Sequence, residues 1–168
     1  HCEQVDASGI SGDYRGLATS IDVYPDTDPS RNISTWKVGV SYYDATNKSL
    51  KYAVYKCPPL DFCKWMIYTV DESAIPRDDI GRYTSLKFDL TGAPNIAYYS
   101  QVKSGWFMAH SVKRAYLVGD GTGNCGDGNN WQFEIVDSSI FPLGLYPSLD
   151  IDYNGAFSIA YYDQYNKA

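Results

Sequence analysis

Short segments in which apolar and polar residues alternate run along this chain, and turn-forming residues separate them. Residues 50–55, 96–100 and 159–163 show this pattern, which is typical of half-buried β-strands. No stretch of ten or more residues places apolar side chains at positions i, i+3, i+4 and i+7, as an amphipathic helix would. Tyrosine, which favours strands, supplies 16 of the 168 residues. The sequence therefore predicts an all-β protein.

The predicted strands recur as a long internal repeat. A segment that begins with glycine, contains tyrosine and ends with leucine occurs three times, and each copy leads into a strand that contains an aspartate. Second, third and fourth strands follow, although the first copy carries a polar insertion at residues 24–35. The glycine segments are residues 12–17, 81–86 and 144–149, and the aspartates are Asp22, Asp89 and Asp152. The second strands are residues 40–44, 96–100 and 159–163, and the third strands are residues 50–55 and 106–111. The fourth strands are residues 65–71 and 131–137, with an echo at residues 3–6.

The spacing of equivalent residues indicates one structural unit per repeat. Val5 and Val70 are 65 residues apart, and Val70 and Val136 are 66 residues apart. Four short strands joined by hairpin turns match a blade of a β-propeller. A β-sandwich would show a cleaner alternation and no such repeat. We therefore predict antiparallel four-stranded blades of the β-propeller type.

The repeat also predicts where the blades begin and end. Full blades are expected at residues 12–80 and 81–143, residues 1–11 would end a preceding blade, and residues 144–168 would form the first half of another. A closed propeller usually needs at least four blades. Two explanations remain open at this point: the chain is part of a longer polypeptide, or copies of it associate through open blade edges.

The repeat resembles tandem repeats of secreted bacterial β-propeller proteins and, distantly, the sialidase-like propellers that carry Asp-box turns. The resemblance covers essentially the whole chain and implies architecture rather than activity. Gly128 and Trp131 match the Asp-box pattern, but Gly126 stands at its aspartate position and Asn130 at its threonine position.

The charge and the cysteine content of the chain limit the classes of partner and the cellular locations that we expect. The net charge of −6 and the scattered basic residues argue against nucleic acid, which needs clustered Lys and Arg. No apolar run approaches the roughly 18 residues that a membrane span requires. Four cysteines favour an extracellular or cell-surface protein, and Cys57 and Cys63 are placed to close a short loop as a disulfide.

The glycine-rich stretch 119–130 is a candidate cation site. Its oxygen donors, interleaved with glycines, could surround calcium, which prefers six to eight oxygen ligands. The alternative is a flexible turn between a third and a fourth strand; otherwise no cofactor is expected. The candidate ligands are Asp120, Asn124, Asp127 and Asn129.

No catalytic residues are predicted, and the chain is expected not to be an enzyme. Aspartates at repeated positions, including Asp71 and Asp137, fit turn capping and strand ends, whereas a catalytic residue is normally unique. His110 has no serine or cysteine partner at a readable spacing. Trp36 and Tyr24, near the irregular insertion, are the candidate binding residues because aromatic rings stack on sugars and dominate protein interfaces.

The leading expectation is a non-catalytic extracellular propeller module that binds a glycan or a protein, or serves as a structural surface component. Two alternatives stay open. One is a fragment of a sialidase-like glycan-active enzyme, and the other is a filament-forming repeat protein that assembles by completing blades between chains.

Overall fold

The structure is a computed structural model that describes residues 5–6, 14–28, 33–56, 63–117 and 131–168. These residues form strands and turns, without a helix among them, so the all-β prediction is confirmed. The strands are β1 (Leu17–Asp28), β2 (Ile33–Asp44), β3 (Ser49–Lys56), β4 (Lys64–Asp71), β5 (Asp79–Phe88), β6 (Pro94–Ser104), β7 (Phe107–Leu117), β8 (Trp131–Ser139), β9 (Leu143–Ile151) and β10 (Phe157–Asp163).

The strands form three antiparallel sheets in which chain neighbours pair. Sheet A has the order β1-β2-β3-β4, sheet B has the order β5-β6-β7-β8, and sheet C is the pair β9-β10. The predicted four-stranded antiparallel units are therefore confirmed, and sheet C holds the predicted first two strands of a third unit. Hairpin connections keep every pairing local in sequence.

Aspartate side chains close the turns, as the repeated aspartates predicted. In the turns that join the first and second strands of sheets B and C, Asp89 and Asp152 each accept hydrogen bonds from backbone amides two and four residues later. Gly92 and Gly155 have positive φ in the same turns, a conformation that glycine adopts without strain. These contacts explain why the sequence turns sharply at these two places.

A second aspartate turn follows the second strand in sheets A and C. Asp44 and Asp163 accept hydrogen bonds from backbone amides two and three residues later, and from the side-chain amides of Asn47 and Asn166. Because these bonds satisfy the carboxylate locally, Asp44 can be fully buried without an isolated charge.

The three sheets stack face to face, with sheet B between sheets A and C. Strand β5 packs across β1, β2 and β3, and β9 packs across β5, β6, β7 and β8. A continuous apolar cluster lies between sheets A and B. It contains Leu50, Tyr52, Val54 and Val70 of sheet A and Ile80, Leu86, Phe88, Ile96, Tyr98, Ala115 and Trp131 of sheet B.

A serine contact joins successive sheets at equivalent positions. The backbone amide of Leu86 donates to Ser20 Oγ at 3.0 Å, and that of Leu149 donates to Ser85 Oγ at 3.0 Å. The first strand of each following sheet is thus held by the first strand of the sheet before it. The repetition of the bond shows that sheet C sits on sheet B as sheet B sits on sheet A.

A tyrosine–aspartate contact repeats three times. The hydroxyls of Tyr42, Tyr98 and Tyr161, one in each second strand, donate to Asp6, Asp71 and Asp137 at 2.5 Å. Asp71 and Asp137 lie at or near the end of the fourth strand of the preceding sheet. Asp6 occupies the same position, as the echo at residues 3–6 predicted, although described residues 5 and 6 are not in a strand.

Each first strand contains a bulge built on glycine. Gly81 and Gly144 have φ of 101° and 85°, and a Cβ there would lie 2.6 Å from Leu50 Cα and 2.8 Å from the Val112 amide nitrogen. Leu50 and Val112 occupy equivalent positions in the third strand of the preceding sheet. Glycine is needed for its backbone conformation and for the close approach of two sheets.

The structure corrects the alignment of the first repeat. Ser20 is equivalent to Ser85 and Ser148, so the first glycine bulge is at Gly16, with φ of 80°, rather than at residue 12. The prediction that residues 12–17 match residues 81–86 and 144–149 is therefore wrong by four positions. Asp22 is consequently equivalent to Lys87 and Asp150 rather than to Asp89 and Asp152. It does not cap a turn but accepts a hydrogen bond from the backbone amide of Phe88.

The predicted polar insertion at residues 24–35 is largely strand. Strand β1 continues to Asp28 and β2 begins at Ile33, so the segment lengthens a β-hairpin instead of forming an irregular loop. The backbones of β1 and β2 pair in this segment, although it contains Pro, Asp and Ser residues, which usually mark loops.

The glycine bulges give a matched test of sheet stacking. Gly81→Ala should lower the free energy of unfolding by more than the roughly 1–2 kcal/mol that positive φ costs a residue with a Cβ, because the new methyl group meets the backbone of Leu50. Gly16→Ala has the same kind of φ but nothing within 4 Å, so only the conformational cost should remain. Urea denaturation measures the free energy of unfolding of both variants. An equal decrease in the two variants would contradict the stacking contact.

The tyrosine contact gives a second test. Tyr98 is buried, and its hydroxyl donates to a carboxylate that also receives Lys113 Nζ at 2.9 Å. Tyr98→Phe should lower the free energy of unfolding by about 1.5–3 kcal/mol, the usual contribution of a hydrogen bond to a charged group. The control, Tyr153→Phe at an exposed site, should change stability by less than about 0.5 kcal/mol. Similar small losses in both variants would show that the bond does not stabilise the stack.

Candidate ligand-binding surface at the β6–β7 end

The hairpin β6–β7 is longer than its equivalent in sheet A. Seven positions separate the paired residues Tyr43 and Leu50, whereas thirteen separate the equivalent pair Tyr99 and Val112. The extra residues form a projection with Trp106 at its tip, where the side chain is 98% exposed. The exposed aromatic side chain at its tip makes this projection a candidate for a function beyond packing.

A shallow groove runs beside this projection. Its volume is about 400 Å³, and it lies between the tip half of the β6–β7 hairpin and the end of β8. Both apolar and hydroxyl groups line it, so it can contact a ligand that has apolar and polar faces. The lining residues are Ser104, Phe107, Ala109, Ser138, Ser139 and Ile140.

A group of tyrosines, which we call the tyrosine cluster, lies at the same end of the sheets. It consists of Tyr43, Tyr83, Tyr99 and Tyr146. The strands β5 and β9 begin at this end, and Tyr83 and Tyr146 belong to their glycine bulges. The rings of Tyr83 and Tyr146 are 4.3 Å apart between centroids, and the side chain of Tyr146 is 63% exposed.

The two bulge tyrosines have an unusual backbone. Tyr83 and Tyr146 have φ of 54° and 53°, in the left-handed region that bulky residues rarely occupy. Such a conformation costs of order 1–3 kcal/mol and is concentrated at functional sites. At the equivalent position of sheet A stands Ala18, with φ of 49°, so the bulge itself does not require an aromatic ring.

Charged side chains fix the base of the tyrosine cluster. The hydroxyl of Tyr43 donates to Asp79 Oδ1 at 2.6 Å, and Arg82 Nη2 is 2.5 Å from the other oxygen of that carboxylate. The Arg82 guanidinium also lies 5.6 Å from the centre of the Tyr43 ring. Burial, reinforced by the bond to Asp79, raises the pKa of Tyr43 to about 12.

His110 connects the tyrosine cluster to the groove. Its Nδ1 lies 2.5 Å from the hydroxyl of Tyr99, and on the adjacent strand it pairs with Ser139, which lines the groove. Burial raises the pKa of Tyr99 to about 12 and lowers the pKa of His110. At neutral pH, Tyr43 and Tyr99 therefore hold their protons and act as hydrogen-bond donors, while exposed rings nearby offer stacking surfaces.

The two aromatic residues predicted from sequence lie elsewhere. Trp36 is exposed on the extended β1–β2 hairpin, at the opposite end of the sheets from β6–β7. Tyr24 donates its hydroxyl to the Leu90 carbonyl at 2.8 Å and its ring contacts Phe88, so it helps to join sheets A and B. The structure brings neither residue into the tyrosine cluster, and their role in binding stays a prediction.

Sequence reasoning missed Tyr83, Tyr146 and Trp106. The two tyrosines belong to the repeat signature, and repetition was interpreted as packing. No length difference signalled the projection, because the predicted second and third strands are five residues apart in both repeats. The structure makes Val112 the equivalent of Leu50, so the prediction that residues 106–111 match residues 50–55 is wrong by six positions.

Several predictions fall on residues outside the described ones. The candidate calcium ligands Asp120, Asn124, Asp127 and Asn129 lie there, and so does Cys57 of the predicted disulfide with Cys63. Within the part of the chain that the structure describes, no group of three or more His, Cys, Asp or Glu could hold a metal ion, and no helix is long and apolar enough to cross a membrane.

No family model, curated protein or solved structure matches this chain.

The position of His110 predicts a pH effect on stability. Because its pKa is lowered in the folded state, the unfolded chain binds more protons below about pH 6.5. The contribution of this residue to stability is thus complete above that pH and is lost as the pH falls through the folded pKa. The sequence contains only two histidines, so an NMR titration can resolve His110 directly.

The matched variant is His110→Gln, which cannot titrate. Its unfolding free energy, measured by urea denaturation between about pH 7 and pH 5, should fall less steeply with acidification than that of the unmodified chain. A His110 pKa at or above the ordinary value would contradict the burial described here.

Proposed function

We propose that this chain is a non-catalytic extracellular β-propeller module that binds a glycan through the tyrosine cluster and the neighbouring groove. The observation that carries the proposal is the ring pair Tyr83–Tyr146, in which Tyr146 is exposed and Tyr83 is half-buried. An unfavourable backbone conformation holds both rings beside a groove with hydroxyl groups. Sugar rings present apolar faces and hydroxyl edges, which such a surface can contact simultaneously.

The stacking of the sheets supports the propeller part of the proposal. Three sheets succeed one another through the same serine, tyrosine and glycine contacts, whereas a sandwich consists of two sheets. First strands contact first strands, as β1 does β5 and β5 does β9. Blades arranged around a common axis would bring the innermost strands together in this way.

Electrostatics favour a neutral ligand over an anionic one. The chain has a net charge of −6, and the arginine of the cluster, Arg82, is already paired with Asp79. A strongly anionic glycan or a phosphate backbone would meet an unfavourable overall field. The four cysteines favour an extracellular location, where neutral polysaccharides and glycoproteins are accessible.

The test uses neutral oligosaccharides built from glucose, xylose, mannose or galactose, with binding followed by isothermal titration calorimetry. At least one should bind, and Tyr146→Asn should weaken that binding about tenfold or more, equivalent to about 1.4 kcal/mol. Asparagine removes the ring but tolerates positive φ, so the bulge should survive. The control is Tyr153→Asn, which removes an exposed ring from the opposite end of the sheets.

Three outcomes would overturn the proposal. One is the absence of binding to every oligosaccharide at millimolar concentration. Another is equal affinity in the Tyr146 and Tyr153 variants. The third is turnover of a sialoside or another glycan that one point substitution abolishes, because that result would show that the chain is an enzyme.

A further inference from the structure

The face of sheet A opposite sheet B exposes apolar side chains that the other sheets bury. Ile21 is 66% exposed, whereas its equivalents Leu86 and Leu149 are 1% and 2% exposed. Leu86 packs in the cluster between sheets A and B. Val23 is likewise exposed, although its equivalent Phe88 is buried. We call the face that carries Ile21 and Val23 the entry face.

Sheet C exposes the other half of the same interface. Ala160 is exposed, but its equivalents Ser41 and Ala97 are fully buried on the faces that sheets B and C cover. Its strand partner Ser148 is also exposed. We call the face that carries Ser148 and Ala160 the exit face.

The hydrogen bond that joins successive sheets also lacks one partner on each of these two faces. Ser20 and Ser85 each accept the amide of the next sheet's first strand. Within the described residues, Ser148 at the equivalent position accepts no such bond, and no serine accepts the backbone amide of Ile21. One face thus offers the donor and the other offers the acceptor of a bond that the molecule already makes twice.

We propose that the entry face of one copy of this chain packs on the exit face of a second copy, in a head-to-tail contact that repeats the contact between its own sheets. Two surfaces of different composition are joined, so the contact is heterologous and can be extended by further copies. The two interfaces within the chain supply the geometry and the residue pairs for the third. This inference does not depend on glycan binding at the tyrosine cluster.

The heterologous character permits a sharp experiment. Ile21→Glu places a charge on the entry face, and Ala160→Glu places one on the exit face; both residues are exposed, so each variant should keep the fold, as circular dichroism would verify. Sedimentation velocity between about 1 μM and about 1 mM should show concentration-dependent association of the unmodified chain. Each variant alone should associate at least about tenfold more weakly.

An equimolar mixture of the two variants should form dimers but nothing larger, because each retains the one face that the other lacks. The control, Ala74→Glu in the exposed segment between β4 and β5, should associate like the unmodified chain. A chain that stays monomeric over the whole range would overturn the proposal. So would a mixture that stays monomeric, since that result indicates a symmetric contact or none on these faces.

Discussion

The close approach of each first strand to the preceding sheet is the constraint on which the rest of this structure depends. Glycine at 81 and 144 lets the backbones of two sheets meet at distances that a Cβ would forbid. Only at that separation can Ser20 and Ser85 receive the amides of Leu86 and Leu149. The tyrosine–aspartate bonds then join second strands to the preceding fourth strands. In the serine and tyrosine contacts that repeat, the preceding sheet supplies the acceptor, so these contacts give the stack a direction.

The same bulge that permits stacking also creates the candidate binding surface. Two residues after the glycine, the backbone takes positive φ, and this places Tyr83 and Tyr146 side by side at the β6–β7 end. Sheet A performs the same turn with Ala18, so the rings are additions to a structural device. Tyr43, whose pKa is raised by burial, helps to hold this surface in place from below by donating a hydrogen bond to Asp79.

Repetition separates structural residues from functional ones, but it does so imperfectly. Asp89 and Asp152 close turns, and Asp71 and Asp137 receive tyrosines, as repeated positions predict. Tyr146 shows the limit of the rule, since it repeats and is nevertheless exposed. A sheet at the end of the described stack leaves exposed what an internal sheet buries. The same residue type can therefore pack in one repeat and present a surface in another.

The strand class, the four-strand unit and most turns could be predicted from the sequence, because alternation, glycine and aspartate act within a few residues of each other. It even located Asp6 as the equivalent of Asp71 and Asp137. It misplaced the first bulge by four residues and took the β1–β2 extension for a loop, because register depends on which strand lies opposite. The burial of Leu86, the exposure of Ile21 and the contact between Tyr83 and Tyr146 could not be predicted from the sequence, since each depends on which sheet packs against which.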